Sequence, residues 1–340
     1  MSHKGKKTLH VLCCLMAVMA VDVFAADYNS NPMWLKQQAF LPEDMHFTDT
    51  YRPQEEIYEW NGHKIHVDRF RNDTSKAKLI LLHGVGTNGR QMSLIVGGPL
   101  WKRGYECIAL DMPGYGMTEV SPDRPVTYTD WVQIASDFVD KESGMDNRPI
   151  ILYGLSAGGM ETYHVAAMNS HVAGIVGMTF LDQRDKKVRD KTARNLFMSR
   201  VAVPCAGVCS HIPLLRDAKV SMQLASKMYA LVNDKEALNV FLADGTSAGN
   251  WMSMRFLSDY MNYKPAVEPE NFTQCPVLLT QPAKDHWTPL ELSQNFIAKL
   301  TQVKFDLVML DNASHYPIEE PGLKQMENAI ADFTDRIVSK

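Results

Sequence analysis

The chain has 340 residues, of which 45% are hydrophobic and 22% charged, with a formal net charge of −4 at pH 7. A chain this long buries roughly three quarters of the surface it exposes when unfolded, so its core needs no staples, and it is too apolar to be disordered. An acidic balance with no Lys/Arg block beyond residue 7 excludes nucleic acid as the main partner, and no apolar run reaches the 18 or so residues of a membrane span.

The first 25 residues read as an address. Lys4, Lys6 and Lys7 form a positive start, residues 9–21 are almost wholly apolar, and Val23-Phe24-Ala25 supplies small residues where a signal peptidase cuts. Residues 1–25 are therefore expected to be a signal peptide cleaved after Ala25, with a short uncleaved anchor as the alternative. Cleavage removes three Lys and one Asp, leaving 32 basic and 38 acidic residues, a net of −6. An exported chain, periplasmic or secreted, is expected. Its acidity predicts that strongly anionic substrates are disfavoured. Export also permits disulfides among Cys107, Cys205, Cys209 and Cys275. Cys107 reads as a buried thiol in a strand, whereas Cys205 and Cys209 are close enough to bridge, and that pairing stays open.

In chain order, residues 55–60 and 64–70 flank Asn61-Gly62, a strong hairpin signal. Residues 78–82 are a continuous aliphatic run, as in a strand buried on both faces. Similar runs occupy 106–110, 149–153, 172–180, 276–280 and 305–310, and helix-compatible stretches fall at 129–139, 157–169, 290–299 and 323–337. Alternating strands and helices predict a mostly parallel sheet covered on both faces. Between 182 and 271 the text is helix-compatible without a convincing strand. The expected organisation is an α/β core over 26–182, a helical insertion over 183–271, and the rest of the core over 272–340.

Gly154-Leu155-Ser156-Ala157-Gly158 sits between an apolar strand and a helical run, the setting of a nucleophile elbow. In so sharp a turn a side chain at 154 or 158 would strike neighbouring backbone. The turn would lift the Ser156 hydroxyl above the sheet, over a helix N-terminus. The plainer alternative is a Gly-rich turn whose serine caps the helix.

A serine hydroxyl needs a base. Among eleven histidines the preferred one is His315, in a loop that follows the last strand run; His286 is the rival. His63 and His66 read as hairpin residues, and His164 with Glu161 forms a single E-x-x-H unit, too little for a di-metal site. The base needs a carboxylate, and Asp285 stands after Ser156 and before His315, in a loop beyond a strand. Asp182 is the alternative acid. An oxyanion needs two backbone donors, for which Ala157 N–H and Val85 N–H are the candidates; His83 reads as structural.

These residues together resemble the α/β-hydrolase superfamily, specifically its capped serine esterase, lipase and lysophospholipase-like members. The resemblance rests on His83-Gly84-Val85-Gly86, the run from Asp111 through Gly114-Tyr115-Gly116 to Thr118, the elbow at Ser156, Asp285, and Ser314-His315-Tyr316-Pro317, and it covers about residues 50–340. It implies a mostly parallel eight-stranded sheet, helices on both faces, and an inserted cap roofing the site. One departure is Gln281-Pro282 before the acid, where many relatives carry glycine. A serine at the elbow, where dehalogenases and epoxide hydrolases of this architecture carry aspartate, implies acyl transfer without metal or organic cofactor. The expected activity is hydrolysis of carboxylic esters, lipid-like or with other apolar acyl groups, through a Ser156-His315-Asp285 triad and an acyl-enzyme, on a small-molecule substrate. Amidase or peptidase, thioesterase and C–C hydrolase chemistry use the same triad, and a non-catalytic binding role is a further alternative. The insertion carries Met198, Met222, Met228, Met252, Met254 and Met261 with Phe197, Tyr229, Phe241, Trp251 and Phe256, which read as the packing of a small cap's helices, with an adaptable apolar acyl pocket lined by some of them as the sharper alternative.

Overall fold

The computed structural model describes residues 27–213 and 215–339. The expected signal peptide lies outside the described residues. Among the described residues ten strands occur in chain order: β1 Gln54–Trp60, β2 His63–Phe70, β3 Lys78–Leu82, β4 Glu106–Leu110, β5 Ile150–Gly154, β6 Val172–Gly177, β7 Lys219–Ser221, β8 Trp251–Ser253, β9 Val277–Pro282 and β10 Phe305–Leu310. Eight of them form one sheet in the order β1-β2-β4-β3-β5-β6-β9-β10. Only the β1–β2 and β2–β4 pairs are antiparallel; the remaining five pairs are parallel. This is the α/β-hydrolase architecture expected from the sequence.

The parallel centre is set by composition. Strands β3, β4 and β5 are buried along their whole length, as aliphatic strands covered by helices on both faces must be. Lys78 is the one cation inside β3; its Nζ donates to Glu142 O at 2.8 Å and lies 3.0 Å from an Asp146 carboxylate oxygen. Helix Tyr128–Ser143 begins at a capping box between Thr127 and Asp130, and helix Gly322–Val338 lays Phe333 and Ile337 over Gly174 of β6. The chain runs from β3 outward to β4, then crosses back to β5. Loops leaving β3 and β5 therefore meet at the carboxyl edge, the switch point where open α/β sheets bind ligands.

Three expectations need correction. The stretch 182–271 is not purely helical: β7 and β8 pair antiparallel, Val220 opposite Met252, between helices Lys186–Thr192, Val203–Ser210, Met222–Ala225, Lys235–Ala243 and Met254–Asn262. Strands of three residues carry too little periodicity to read. The run 290–299 breaks into a 3-10 turn, Leu290–Leu292, and a short helix, Gln294–Ile297, around Ser293, whose buried hydroxyl accepts the Phe180 N–H. The bridge left open between Cys205 and Cys209 is not made. Both are free thiols on consecutive turns of helix Val203–Ser210.

Candidate functional site

Ser156 occupies the turn between β5 and helix Ala157–Ala166 with φ 56° and ψ −117°. Non-glycine residues rarely hold such a conformation, which costs on the order of 1–3 kcal/mol and persists only where the surroundings enforce it. They do so here by leaving no room. A Cβ on Gly154 would fall 2.0 Å from Gly158 O, and one on Gly158 would fall 2.4 Å from Leu82 O. The Ser156 side chain makes no capping hydrogen bond to the helix, so the plainer reading as a helix cap does not hold. Its residue lines a cavity instead.

His315 lies in the loop after β10, fully buried. Its Nδ1 is 2.8 Å from Asp285 Oδ2 and 3.0 Å from Thr288 Oγ1. Thr288 Oγ1 donates its own proton to Asp285 Oδ2 at 2.8 Å, and Asp285 Oδ1 accepts the N–H groups of Trp287 and Thr288 at 2.8 and 2.7 Å. Burial alone would raise the Asp285 carboxyl. The His315 ring and these donors outweigh it and hold the group below its usual range, as a carboxylate. A carboxylate at Nδ1 requires the ring to carry its proton there. The Nε2 lone pair is then free, and Nε2 is buried without a hydrogen-bond partner among the described residues. Thr288 was missed in the sequence. Its signal is a hydroxyl three residues after an aspartate, the spacing of a local Asp turn.

The alternative residues go elsewhere. Asp182 is committed to Arg184, 2.8 Å away, which also holds Glu268. His286 is exposed. His83 accepts the Met112 N–H at Nε2, while its Nδ1 meets Gly84 O, a structural role. His63 and His66 begin and continue β2 as expected. His164 is buried against the Tyr128 hydroxyl, and burial pushes it down to about 3, so it is neutral. Glu161 is buried with neither carboxyl oxygen partnered among the described residues, and burial pushes it well up, so it is a neutral acid.

Val85 and Ala157 both face the cavity. Among the described residues neither backbone N–H has an acceptor. The loop after β3 is pressed onto the elbow: a Cβ on Gly84 would lie 2.9 Å from Ser156 Cβ and 3.3 Å from Ala157 N. Two unengaged donors thus sit beside the serine, which is what a developing oxyanion requires.

The cavity measures about 350 Å³ and is almost wholly apolar, within the ordinary size range for ligand pockets. Ser156 and Ala157 of the elbow and Val85, Leu181, Trp287 and Thr288 of the core line it together with the insertion, which contributes Met198, Met222, Met254, Met261, Phe197 and Leu224. Two of the methionines singled out pack elsewhere. Met228 lies over Gly86 and Met252 over Gly114. One cluster with metal-ligand chemistry occurs among the described residues, Glu55, His66 and Asp68. It is taken by Arg90, which lies 2.6 Å from Asp68 and 3.1 Å from Glu55.

Residues 79–324, well over half of the chain, match the profile of the alpha/beta hydrolase family. The chain belongs to the alpha/beta hydrolase family. Solved structures of similar fold include a soluble variant of monoglyceride lipase from Saccharomyces cerevisiae in complex with a substrate analogue, at 18% identity, TM-score 0.68, covering 86% of this chain and 97% of that one. Monoacylglycerol lipase from Paleococcus ferrophilus follows at 19% identity and TM-score 0.58, covering 84% and 99%. Est1E from Butyrivibrio proteoclasticus has 15% identity and TM-score 0.56, covering 84% and 99%. At these identities the likeness establishes the alpha/beta hydrolase fold alone. The sequence comparison with proteins of curated function finds no match.

Proposed function

We propose that this alpha/beta hydrolase is an exported serine esterase acting on carboxylic esters with apolar acyl groups. The observation that carries this reading is Ser156 on a strained elbow lining an apolar cavity that Trp287 and Thr288 also line, with the buried His315 against both of these residues, its Nδ1 held by Asp285 and its Nε2 without a partner among the described residues. In the proposed course His315 Nε2 takes the Ser156 proton as Oγ attacks the ester carbonyl carbon. The carbonyl oxygen becomes an oxyanion facing the N–H groups of Val85 and Ala157. On collapse the C–O bond to the alcohol breaks and His315 returns the proton to the leaving alkoxide. Water, deprotonated by the same nitrogen, then cleaves the acyl-serine to the acid and restores Ser156.

The lipases and esterase of similar fold support an ester substrate, as does a cavity wall built from thioethers and aliphatic carbons, which adapts to an acyl chain. The insertion supplying that wall serves as the cap. The test is turnover of a p-nitrophenyl ester by purified protein and its Ser156→Ala variant. Loss of turnover with an unchanged melting temperature is expected. Activity near wild type in the variant would remove Ser156 from the reaction.

A further inference from the structure

Sixteen large apolar side chains are exposed among the described residues, and nine of them fall between 196 and 251, within the insertion. Phe197 and Leu224 are 65% and 57% exposed and also line the Ser156 cavity, so the apolar surface continues from the cavity wall to the outside. Trp251 lies opposite Ser221, three residues before Leu224, and Tyr229 stands beside Arg194, whose guanidinium also donates to Gln223 O at 2.7 Å.

The charge of this face is unlike that of the chain. Residues 184–229 hold ten Lys and Arg against Asp185, Asp190 and Asp217, a net of +7; with −4 for the whole chain, the remainder carries −11. Asp190 and Asp217 are already paired with arginines, whereas Lys191, Arg194 and Lys219 have no carboxylate within 4.0 Å among the described residues. The acidic surface expected from composition is therefore reversed around the cavity. Exposed Trp, Tyr, Phe and Leu interleaved with unpaired cations, on a molecule acidic elsewhere, form a field that turns one face toward an anionic surface. A second copy of the chain fits poorly, because pairing this face with itself would set the unpaired cations Lys191, Arg194 and Lys219 against those of the other copy.

We propose that this face docks on an anionic lipid surface, peripherally, with the cavity opening toward the lipid. The docking stands apart from the catalytic reading; only its purpose, delivery of the ester from the lipid phase, rests on that reading. Apolar side chains would enter the headgroup boundary while the cations meet the lipid charge, each basic residue contributing about fivefold in affinity.

The test is co-sedimentation of the full chain carrying Ser156→Ala with vesicles of phosphatidylcholine, alone or with phosphatidylglycerol, at low and high salt. Binding to the phosphatidylglycerol vesicles, suppressed by salt, is expected. Lys191→Glu, Arg194→Glu and Lys219→Glu combined should weaken it at least tenfold, and Leu196→Ser with Trp251→Ser should also weaken it. In the Ser156 background both variants should keep the wild-type hydrolysis rate on soluble p-nitrophenyl acetate and the wild-type melting temperature. All proteins compared share the same first 26 residues, so any contribution from that segment cancels. Equal binding by the variants, equal binding to uncharged vesicles, absence of binding, or a dimer dispersed by the same substitutions would each overturn the proposal. Absence of vesicle binding by the parent chain, which carries Ser156→Ala and no other change, with intact ester hydrolysis by the wild-type chain would sink the docking alone, whereas binding by that parent chain without hydrolysis by the wild type would sink the catalytic reading alone.

Discussion

His315 and Asp285 were legible because chain order and loop position after a strand are enough to name them, and the structure brings their side chains to 2.8 Å. Thr288 was not, since its part depends on a hydrogen-bond geometry that joins residues 27 apart. Asp285→Asn should lower kcat by about 10⁴, because an amide at Nδ1 no longer selects the tautomer with a free Nε2. Asp182→Asn should change kcat less than threefold, since its partner is Arg184. Steady-state kinetics on one ester checks both, and the reverse ranking would move the acid to Asp182. Thr288→Val removes one donor to the carboxylate while leaving the Asp285–His315 contact, so kcat should fall roughly tenfold, a far smaller loss than Asp285→Asn causes.

The elements follow the sequence where the pattern is strong, as in the continuous aliphatic runs of β3 and β5 and the amphipathic helix Tyr128–Ser143, and depart from it where segments are only three or four residues long. The ribbon β7–β8 is held by pairing between strands some thirty residues apart, which no local pattern announces. The same limit hid the segment before β1. Tyr28 donates to Asp111 and Gln37 donates to Asp244, partners 83 and 207 residues away. The insertion's contribution to specificity is testable through its wall. If the acyl chain lies along Met254 and Met261, kcat/KM for p-nitrophenyl esters should rise between two and six carbons by up to about a hundredfold, at about 0.8 kcal/mol per buried methylene. Met254→Ala with Met261→Ala should flatten that rise, whereas Met252→Ala, outside the cavity, should leave it. A profile insensitive to chain length would remove the acyl chain from this cavity.

For the whole molecule, a buried charge cluster ties the N-terminal segment, β2 and the turn after β4 together, and it sets a pH dependence. Burial alone would lower His66, but Asp111 at 3.0 Å and Glu55 at 2.7 Å raise it to about 10. A folded value above the unfolded 6.5 contributes stability that is fully present below pH 6.5 and lost as pH rises toward 10. Burial likewise would raise Glu55, but His66 and Arg90 lower it to about 2. That contribution is present above pH 4.5 and lost as pH falls toward 2. The melting temperature should therefore fall on both sides of a plateau between about pH 4.5 and 6.5, and His66→Asn should flatten the alkaline fall. A wild-type curve level from pH 7 to 10 would contradict this.

The proposed reaction stands on Ser156 as a nucleophile activated by His315. It is tested most directly by intact mass after treatment with a fluorophosphonate, on the wild-type chain and on Ser156→Ala and His315→Ala. A single adduct on the wild type, mapped to Ser156, none on Ser156→Ala, and a greatly slowed reaction on His315→Ala are expected. A wild-type chain that hydrolyses esters yet takes no adduct, or carries it on another residue, would rule Ser156 out as the nucleophile.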